Sequence, residues 1–167
     1  MKSDSENTLN IFINPLDEIE KIISAYEFKF SRENQNQLNL EFNGLWNNYE
    51  VCFKWLESYE SIRINNNFSF KVPLKLVKKI QVLISLLNEK VLLGYFGYST
   101  EEMCVYFRHN ISMRGVKNLT TEQIEDFIDT IIQESDKYYP AFQIFLYKSD
   151  DPHMAIKTAL LDTIGEA

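Results

Sequence analysis

The residue best suited to chemistry in this 167-residue chain is His109, because an imidazole exchanges protons near neutral pH. It lies between Arg108 and Asn110 in a segment that alternates like a β-strand. Neighbouring strand residues point to opposite faces of a sheet, so Arg108 and His109 cannot act together on one substrate unless the strand has a bulge. His109 instead shares a face with Phe107 and Ile111. We interpret it as a structural core residue, with a catalytic or ligand-binding role as the alternative.

Two acidic pairs, Glu101-Glu102 and Asp150-Asp151, are the other candidates for acid–base or metal chemistry. The first pair lies in a predicted hairpin turn and the second at a predicted helix start, and both positions favour acidic residues for local reasons. Neither pair has the alternating oxygen ligands of a calcium loop. The chain also lacks HExxH, GxSxG and a phosphate-binding glycine-rich loop. We therefore predict no enzyme, no catalytic residue, no metal site and no cofactor.

The overall charge argues against a nucleic-acid partner. With 17 basic and 24 acidic residues the net charge is −7, which repels a phosphate backbone. Cys52 and Cys104 have neither CxxC nor metal-ligand spacing, so we expect two free thiols. The first ten residues show no signal-peptide pattern, and no apolar run approaches the roughly 20 residues of a membrane span. We expect a cytoplasmic protein with no membrane partner.

Hydrophobic periodicity predicts one α+β domain over residues 14–167, preceded by a poorly ordered polar tail at residues 1–13. The elements follow the order α-ββββ-α-ββ-α-α, and the one-sided alternation of the strands predicts an antiparallel sheet with helices packed on one face. Ala141–Tyr147 fits either a helix or a strand. The predicted elements are a helix from Pro15 whose buried stripe ends at Tyr26, strands at Lys29–Arg32, Gln37–Phe42, Tyr49–Trp55 and Ser61–Val72, a helix at Pro73–Leu92, a hairpin of Tyr95–Tyr98 and Met103–Met113, a helix capped by Thr120, and a last helix from Pro152 to Gly165.

The outward face of the predicted sheet carries Lys54, Arg63, Tyr106 and Arg108. Such a face can recognise a partner, and it can equally be a solvated sheet surface. We take these four residues as the candidate partner-binding face. The aromatic side chains of Tyr49–Trp55 point to the other side and are predicted to pack in the core.

The helix predicted at Pro73–Leu92 has more apolar surface than one sheet can cover. Val82, Leu86 and Leu93 project away from its main apolar stripe, among Lys75 and Lys79. The third helix could cover this second stripe within the chain. A two-fold contact with a second copy could cover it instead. We predict the second arrangement, a homodimer whose interface contains these five residues.

Several segments of the chain, in this order, are similar to those of a known family. They are Asn14–Asp17, Phe68–Pro73, Leu86–Phe96, Phe107–His109, Tyr138–Gln143 and Ala159–Ala167. On these residues the chain resembles the YbjN family of bacterial sensory transduction regulators. The resemblance implies a fold similar to type III secretion chaperones, which are commonly dimeric and pair through the corresponding helix. It implies no known catalytic residue.

These observations favour a non-enzymatic protein-interaction module with a regulatory or chaperone-like role, acting as a homodimer. Its partner is then another protein, whose identity the residues do not define. Two other functions stay open. One is a transcription-type regulator that contacts DNA, and the other is a small-ligand binder or enzyme centred on His109.

Overall fold

The computed structural model describes the backbone of residues 14–164 and the side chains of residues 14–160. The tail predicted at residues 1–13 and the helix stop predicted at Gly165 lie outside the described residues. The elements are α1 (Pro15–Ala25), β1 (Phe30–Asn34), β2 (Gln37–Asn43), β3 (Asn48–Leu56), β4 (Ser61–Asn67), α2 (Val77–Asn88), β5 (Tyr95–Ser99), β6 (Cys104–Ser112), α3 (Thr121–Tyr147) and α4 (Pro152–Ile164).

The six strands form one sheet in the order β1-β2-β3-β4-β6-β5. Every neighbouring pair is antiparallel. The first four strands follow one another across the sheet, and α2 then carries the chain to β5 at the far edge. The predicted α+β fold with an antiparallel sheet is therefore confirmed.

The helices and one face of the sheet share a single hydrophobic core. α1 packs on β2 and β3, α3 packs on β4 and β6, and α2 packs on β5, while α4 lies against α2 and α3. Aromatic rings fill the space beneath α3. The Phe142 ring lies with its centroid 5.3 Å from that of Phe96 and 5.6 Å from that of Phe68. Such ring pairs stabilise a core beyond the apolar area that they bury.

Two helix starts follow the predicted capping signals. The Asn14 side chain accepts a hydrogen bond from the Leu16 N–H at the start of α1. At the start of α3, Thr120 and Gln123 form the predicted capping box, with bonds of 3.0 and 3.2 Å between side chain and backbone. Tyr26 was wrongly placed in the buried stripe of α1. It follows the last helical residue, is half exposed and donates its hydroxyl to a residue of α3.

The helix predicted at Pro73–Leu92 was too long at both ends. Pro73 has an extended backbone with ψ 141° and is followed by a short 3₁₀ turn, so α2 begins later. At the other end, the Asn88 side chain pairs with both backbone groups of Phe96 at 2.7 and 3.0 Å. This pair joins the end of α2 to β5. Leu93 therefore lies in the connecting loop, not on the helix.

The fourth strand ends at Asn67 and not at Val72 as predicted. Beyond Asn67, the Phe68 N–H donates to the Val105 carbonyl and the Val72 N–H donates to the Met103 carbonyl, each at 2.9 Å. The two donors are four positions apart in the chain but the two acceptors are only two positions apart, so the segment between the donors bulges out of the ladder.

The segment Ala141–Tyr147, which the sequence left open between helix and strand, is helical. α3 passes through Pro140, which cannot donate the usual backbone hydrogen bond. Phe142 and Phe145 beyond it are fully or almost fully buried, and their burial offsets the lost bond. No helix among residues 14–164 combines the length and apolar character needed to cross a bilayer.

Candidate functional site

The sheet face opposite the helices, here called the open face, forms a shallow concavity of about 410 Å³. Three of the four side chains predicted to bind a partner line it: Lys54, Arg63 and Arg108. Tyr106 adjoins Arg108 on the same face. The structure thus brings together side chains from β3, β4 and β6. The open face is defined by Gln37, Asn39, Glu50, Cys52, Lys54, Arg63, Asn65, Asn67, Glu102, Tyr106, Arg108 and Asn110.

The strand register places the three cationic side chains close to one another. Lys54 on β3 is paired with Arg63 on β4. Arg63 is in turn paired with Asn110 on β6, so Arg108 is its diagonal neighbour. Side chains opposite each other in an antiparallel pair have Cβ atoms about 5 Å apart. Like charges in such positions destabilise a sheet, so this arrangement costs stability.

Hydrogen bonds between β4 and β6 fix the orientation of both guanidinium groups. Arg63 donates its Nε–H to the Asn110 side-chain oxygen at 3.1 Å. Arg108 donates its Nε–H to the Asn65 side-chain oxygen at 3.0 Å in the opposite sense. Each arginine thus uses one donor for positioning. The Nη groups of both side chains have no hydrogen-bond partner among the residues described.

An aromatic platform supports Arg108. Its guanidinium carbon lies 4.3 Å from the centre of the Tyr106 ring, a cation–π contact. The Tyr106 ring lies so close to Gly97 on β5 that a Cβ there would approach the ring at 2.3 Å. Tyr95, which is also on β5, packs edge-on against the Tyr106 ring. Because Gly97 has no side chain, the Tyr106 ring can lie over it and can stack beneath the Arg108 guanidinium.

The far end of the open face has acidic character. Asn65 donates to Asn67 at 2.6 Å, and Asn67 donates to the Glu102 carboxylate at 3.0 Å. Glu50 lies near the start of β3, at the same end of the sheet, and is four positions before Lys54 in the chain. The Lys54 side of the concavity is therefore cationic and the Glu50 side acidic.

The three cations have no acidic partner in the part of the chain that the structure describes. The ion pairs found among residues 14–160 involve Lys29, Arg32 and Lys79. Arg63 and Arg108 are half-buried, whereas Lys54 is exposed. In a protein of net charge −7, three unpaired cations on one small surface are available to an external anion.

His109 lies on the opposite, helix-covered face. It is paired with Ile64 on β4 and is half-buried, and burial lowers its pKa. The structure therefore separates it from Arg108, as the alternation of the strand predicts. Among residues 14–160, no group of three His, Cys, Asp or Glu side chains could hold a metal ion.

The acidic pairs have local structural roles. Glu101-Glu102 lies in the β5–β6 turn, where Glu102 joins the open-face network. Asp151 accepts hydrogen bonds from two backbone N–H groups at the start of α4. Asp150 forms an ion pair with Lys79 on α2, and this pair lowers the pKa of Asp150. Cys52 and Cys104 are free, and burial raises the pKa of both thiols.

The residues predicted to form a dimer interface do not all lie on α2. Val82 is 46% exposed on the helix, but Leu86 is half-buried against the core of its own chain. Leu93, in the loop after α2, is 50% exposed. Lys79 is held by Asp150, so α4 and the loop before it cover part of this side of α2.

Sequence reasoning missed a polar cluster inside the core. The Tyr49 hydroxyl donates to one Asp136 carboxylate oxygen at 2.7 Å, and the Leu45 N–H donates to the other at 2.9 Å. Burial and this hydrogen bond raise the pKa of Tyr49. Nearby, Asn66 donates to the Ser135 hydroxyl at 2.9 Å. Asn66 was detectable, because period-two alternation from Ile62 and Ile64 places it on the core face.

Comparison with known proteins agrees with the fold. A family model described as "YbjN: Putative bacterial sensory transduction regulator" matches residues 15–143 of the chain. The crystal structure of YbjN from E. coli superposes with a TM-score of 0.53 and 14% sequence identity, over 72% of this chain and 85% of that one. No curated protein matches the chain. Identity at this level establishes a shared fold alone, whereas the family match spans well over half of the residues. This chain belongs to the YbjN family.

Proposed function

We propose that this protein is a non-enzymatic regulatory module that acts as a homodimer and binds another protein through the open face. The observation that carries this proposal is the pair of arginines, Arg63 and Arg108, oriented by asparagines on the sheet face that none of the described helices covers. Side chains held in fixed positions lose less entropy when they bind a partner. The family's description as a regulator supports the same kind of role.

A catalytic role receives less support from the arrangement. A general acid or base must reach a reacting group together with other convergent polar side chains. His109 is on the face of β6 that α3 covers, and its face neighbours are apolar. The cations on the open face are suited to holding a charged group.

Site-specific photo-crosslinking tests the proposed binding face. A benzophenone amino acid in place of Tyr106 puts the crosslinker on the open face. The same replacement at Tyr147, which is 73% exposed at the end of α3, is the matched control. In the native bacterium we expect one protein partner to crosslink from position 106 and not from position 147. The purified partner should give the same adduct.

No specific adduct at position 106, or equal adducts at both positions, would show that the open face is not the binding surface. A small-molecule product in place of a protein adduct would support the alternative of a ligand-binding protein.

The proposed homodimer uses the exposed apolar side chains of α2 and the loop that follows it. Val82 is the best position for a test, because it is 46% exposed, whereas Leu86 also packs in its own core. We expect the wild type to be a dimer by light scattering and Val82→Glu to be a folded monomer, since a charge in an apolar contact is left unpaired. Met154→Glu, at an exposed apolar position on α4, should stay dimeric. A monomeric wild type at micromolar concentration would refute the dimer.

A further inference from the structure

The three cations of the open face have a cost that the fold itself does not explain. Lys54 and Arg63 are directly opposed, and Arg108 is a diagonal neighbour. No carboxylate within residues 14–160 forms an ion pair with any of them. The chain has 24 acidic residues, so carboxylates that could pair with these cations are plentiful in the sequence. An anion from outside that binds between them would relieve this repulsion.

We propose that the open face recognises an acidic segment of a partner protein and that Lys54, Arg63 and Arg108 bind its carboxylate groups. This inference rests on the proposed function and specifies the chemistry of the partner. The Nη groups of an arginine form a planar fork that matches the two oxygens of a carboxylate. Because Arg63 and Arg108 use Nε for Asn110 and Asn65, the fork of each is left for the ligand.

The acidic end of the same concavity limits what can bind. A continuous polyanion, such as a nucleic-acid strand, would bring phosphates near Glu50 and Glu102 as well as near the cations. The net charge of −7 adds repulsion at longer range. A polypeptide avoids both, because one or two acidic residues can be followed by uncharged ones. The expected ligand is therefore a short acidic motif and not a long acidic run.

The amide groups beside the cations suit a polypeptide as well. The concavity contains Gln37, Asn39, Asn65 and Asn67, whose side chains both donate and accept hydrogen bonds. A peptide backbone needs both types of partner for its own N–H and C=O groups. The open face thus pairs a cationic position for a side chain with an amide-rich surface for the main chain.

Fluorescence anisotropy with two synthetic peptides tests this inference. Both are fluorescein-labelled ten-residue Gly/Ser peptides, one with two adjacent glutamates at its centre and the other with two glutamines. At low salt we expect the glutamate peptide to bind about tenfold more tightly, as charge-assisted bidentate bonds require. The difference should shrink as salt is added.

Matched variants separate the proposed contacts from general charge. Arg63→Gln/Arg108→Gln should remove the preference for the glutamate peptide. Lys21→Gln/Lys157→Gln changes the net charge equally at exposed positions on α1 and α4, and should preserve the preference. Arg63→Lys/Arg108→Lys should retain only part of it, because a lysine has no planar fork. Circular dichroism should confirm that all variants are folded.

Equal binding of the two peptides by the wild type would overturn the inference, and so would an equal loss of preference in the control variant. Tighter binding of duplex DNA than of the glutamate peptide would favour a nucleic-acid partner instead. If the peptides fail while the crosslinker at position 106 still captures its partner, the acidic motif is wrong and the binding face stands. If the crosslink also fails, the proposed function falls with it.

Discussion

The two faces of this sheet both carry hydrogen-bonded polar side chains, but they differ in how many of the polar atoms have a partner within the chain. On the core face, both carboxylate oxygens of Asp136 have partners within the chain, the Tyr49 hydroxyl and the Leu45 N–H. On the open face, Arg63 and Arg108 each use a single donor on an asparagine. A buried charge without partners is strongly destabilising, whereas a cation at the surface can keep its remaining donors in water.

This difference separates stability from binding. The core-face cluster joins the β2–β3 loop to α3, so changes there should weaken the folded state. The space around it is tight, because a Cβ at Gly44 would lie 2.2 Å from the Tyr49 ring and 2.5 Å from Asp136. The open-face network positions side chains that no described element covers, so changes there should affect recognition and leave stability almost unchanged.

The largest stability effect is expected for Asp136→Ala. The substitution leaves the buried Tyr49 hydroxyl and the Leu45 N–H without an acceptor, and should lower the free energy of unfolding by about 3 kcal/mol. Urea denaturation followed by circular dichroism measures this change. Asp150→Ala is the matched control, because its ion pair with Lys79 is solvent-exposed and should contribute little to the free energy of unfolding. If the two variants lose equal free energy of unfolding, the core cluster contributes no more to stability than the surface ion pair does.

Much of the fold could be predicted from the residues because local chemistry and tertiary structure agree there. The Asn14 cap and the Thr120 capping box are short-range signals that the structure retains. Period-two alternation correctly separated the open-face residues Arg63 and Arg108 from the core-facing residue His109. The grouping of cations on one surface followed from that alternation, without any knowledge of register.

The features that sequence reasoning missed depend on contacts between distant elements. Asp136 looks like a surface helix residue until β3 and the β2–β3 loop bring Tyr49 and Leu45 to it. The end of α2 is set by the pairing of Asn88 with Phe96, which periodicity cannot reveal. Long-range partners of this kind override local propensity.

A smaller effect is expected for the pair of Asn66 and Ser135. Ser135→Ala leaves the buried Asn66 amide without its acceptor, and should lower the free energy of unfolding by about 1.5 kcal/mol. Asn66→Leu/Ser135→Ala removes both polar groups together and should recover most of that loss. A double-mutant cycle in urea measures the coupling. Simple addition of the single losses would show that the hydrogen bond does not couple the two positions.

On the open face, Arg63→Gln should change the free energy of unfolding by no more than about 0.5 kcal/mol, because the side chain is partly solvated and its loss relieves repulsion with Lys54. Lys54→Gln relieves the same repulsion and is the comparison variant. A loss above about 1 kcal/mol for Arg63→Gln would show that this face stabilises the fold, and would blur the contrast between the two faces.

The smallest effect concerns His109, which shares β6 with the open face but points to the core. Burial lowers its pKa in the folded protein, whereas the unfolded chain has a value of about 6.5. Around and below that pH the unfolded chain binds more protons at this site, so the free energy of unfolding falls as the pH falls from about one unit above 6.5. His109→Gln removes this dependence.

We expect the stability of the wild type relative to His109→Gln to decline between about pH 7.5 and 5.5. Other titrating groups such as Glu134 are present in both proteins, so their effects cancel in the comparison. Thermal unfolding across this range measures the difference, and His153→Gln at an exposed position on α4 is the control. A pH-independent difference would show that His109 titrates as it does in the unfolded chain. Loss of the crosslink at position 106 in His109→Gln, with its stability unchanged, would assign His109 to binding and not to the core.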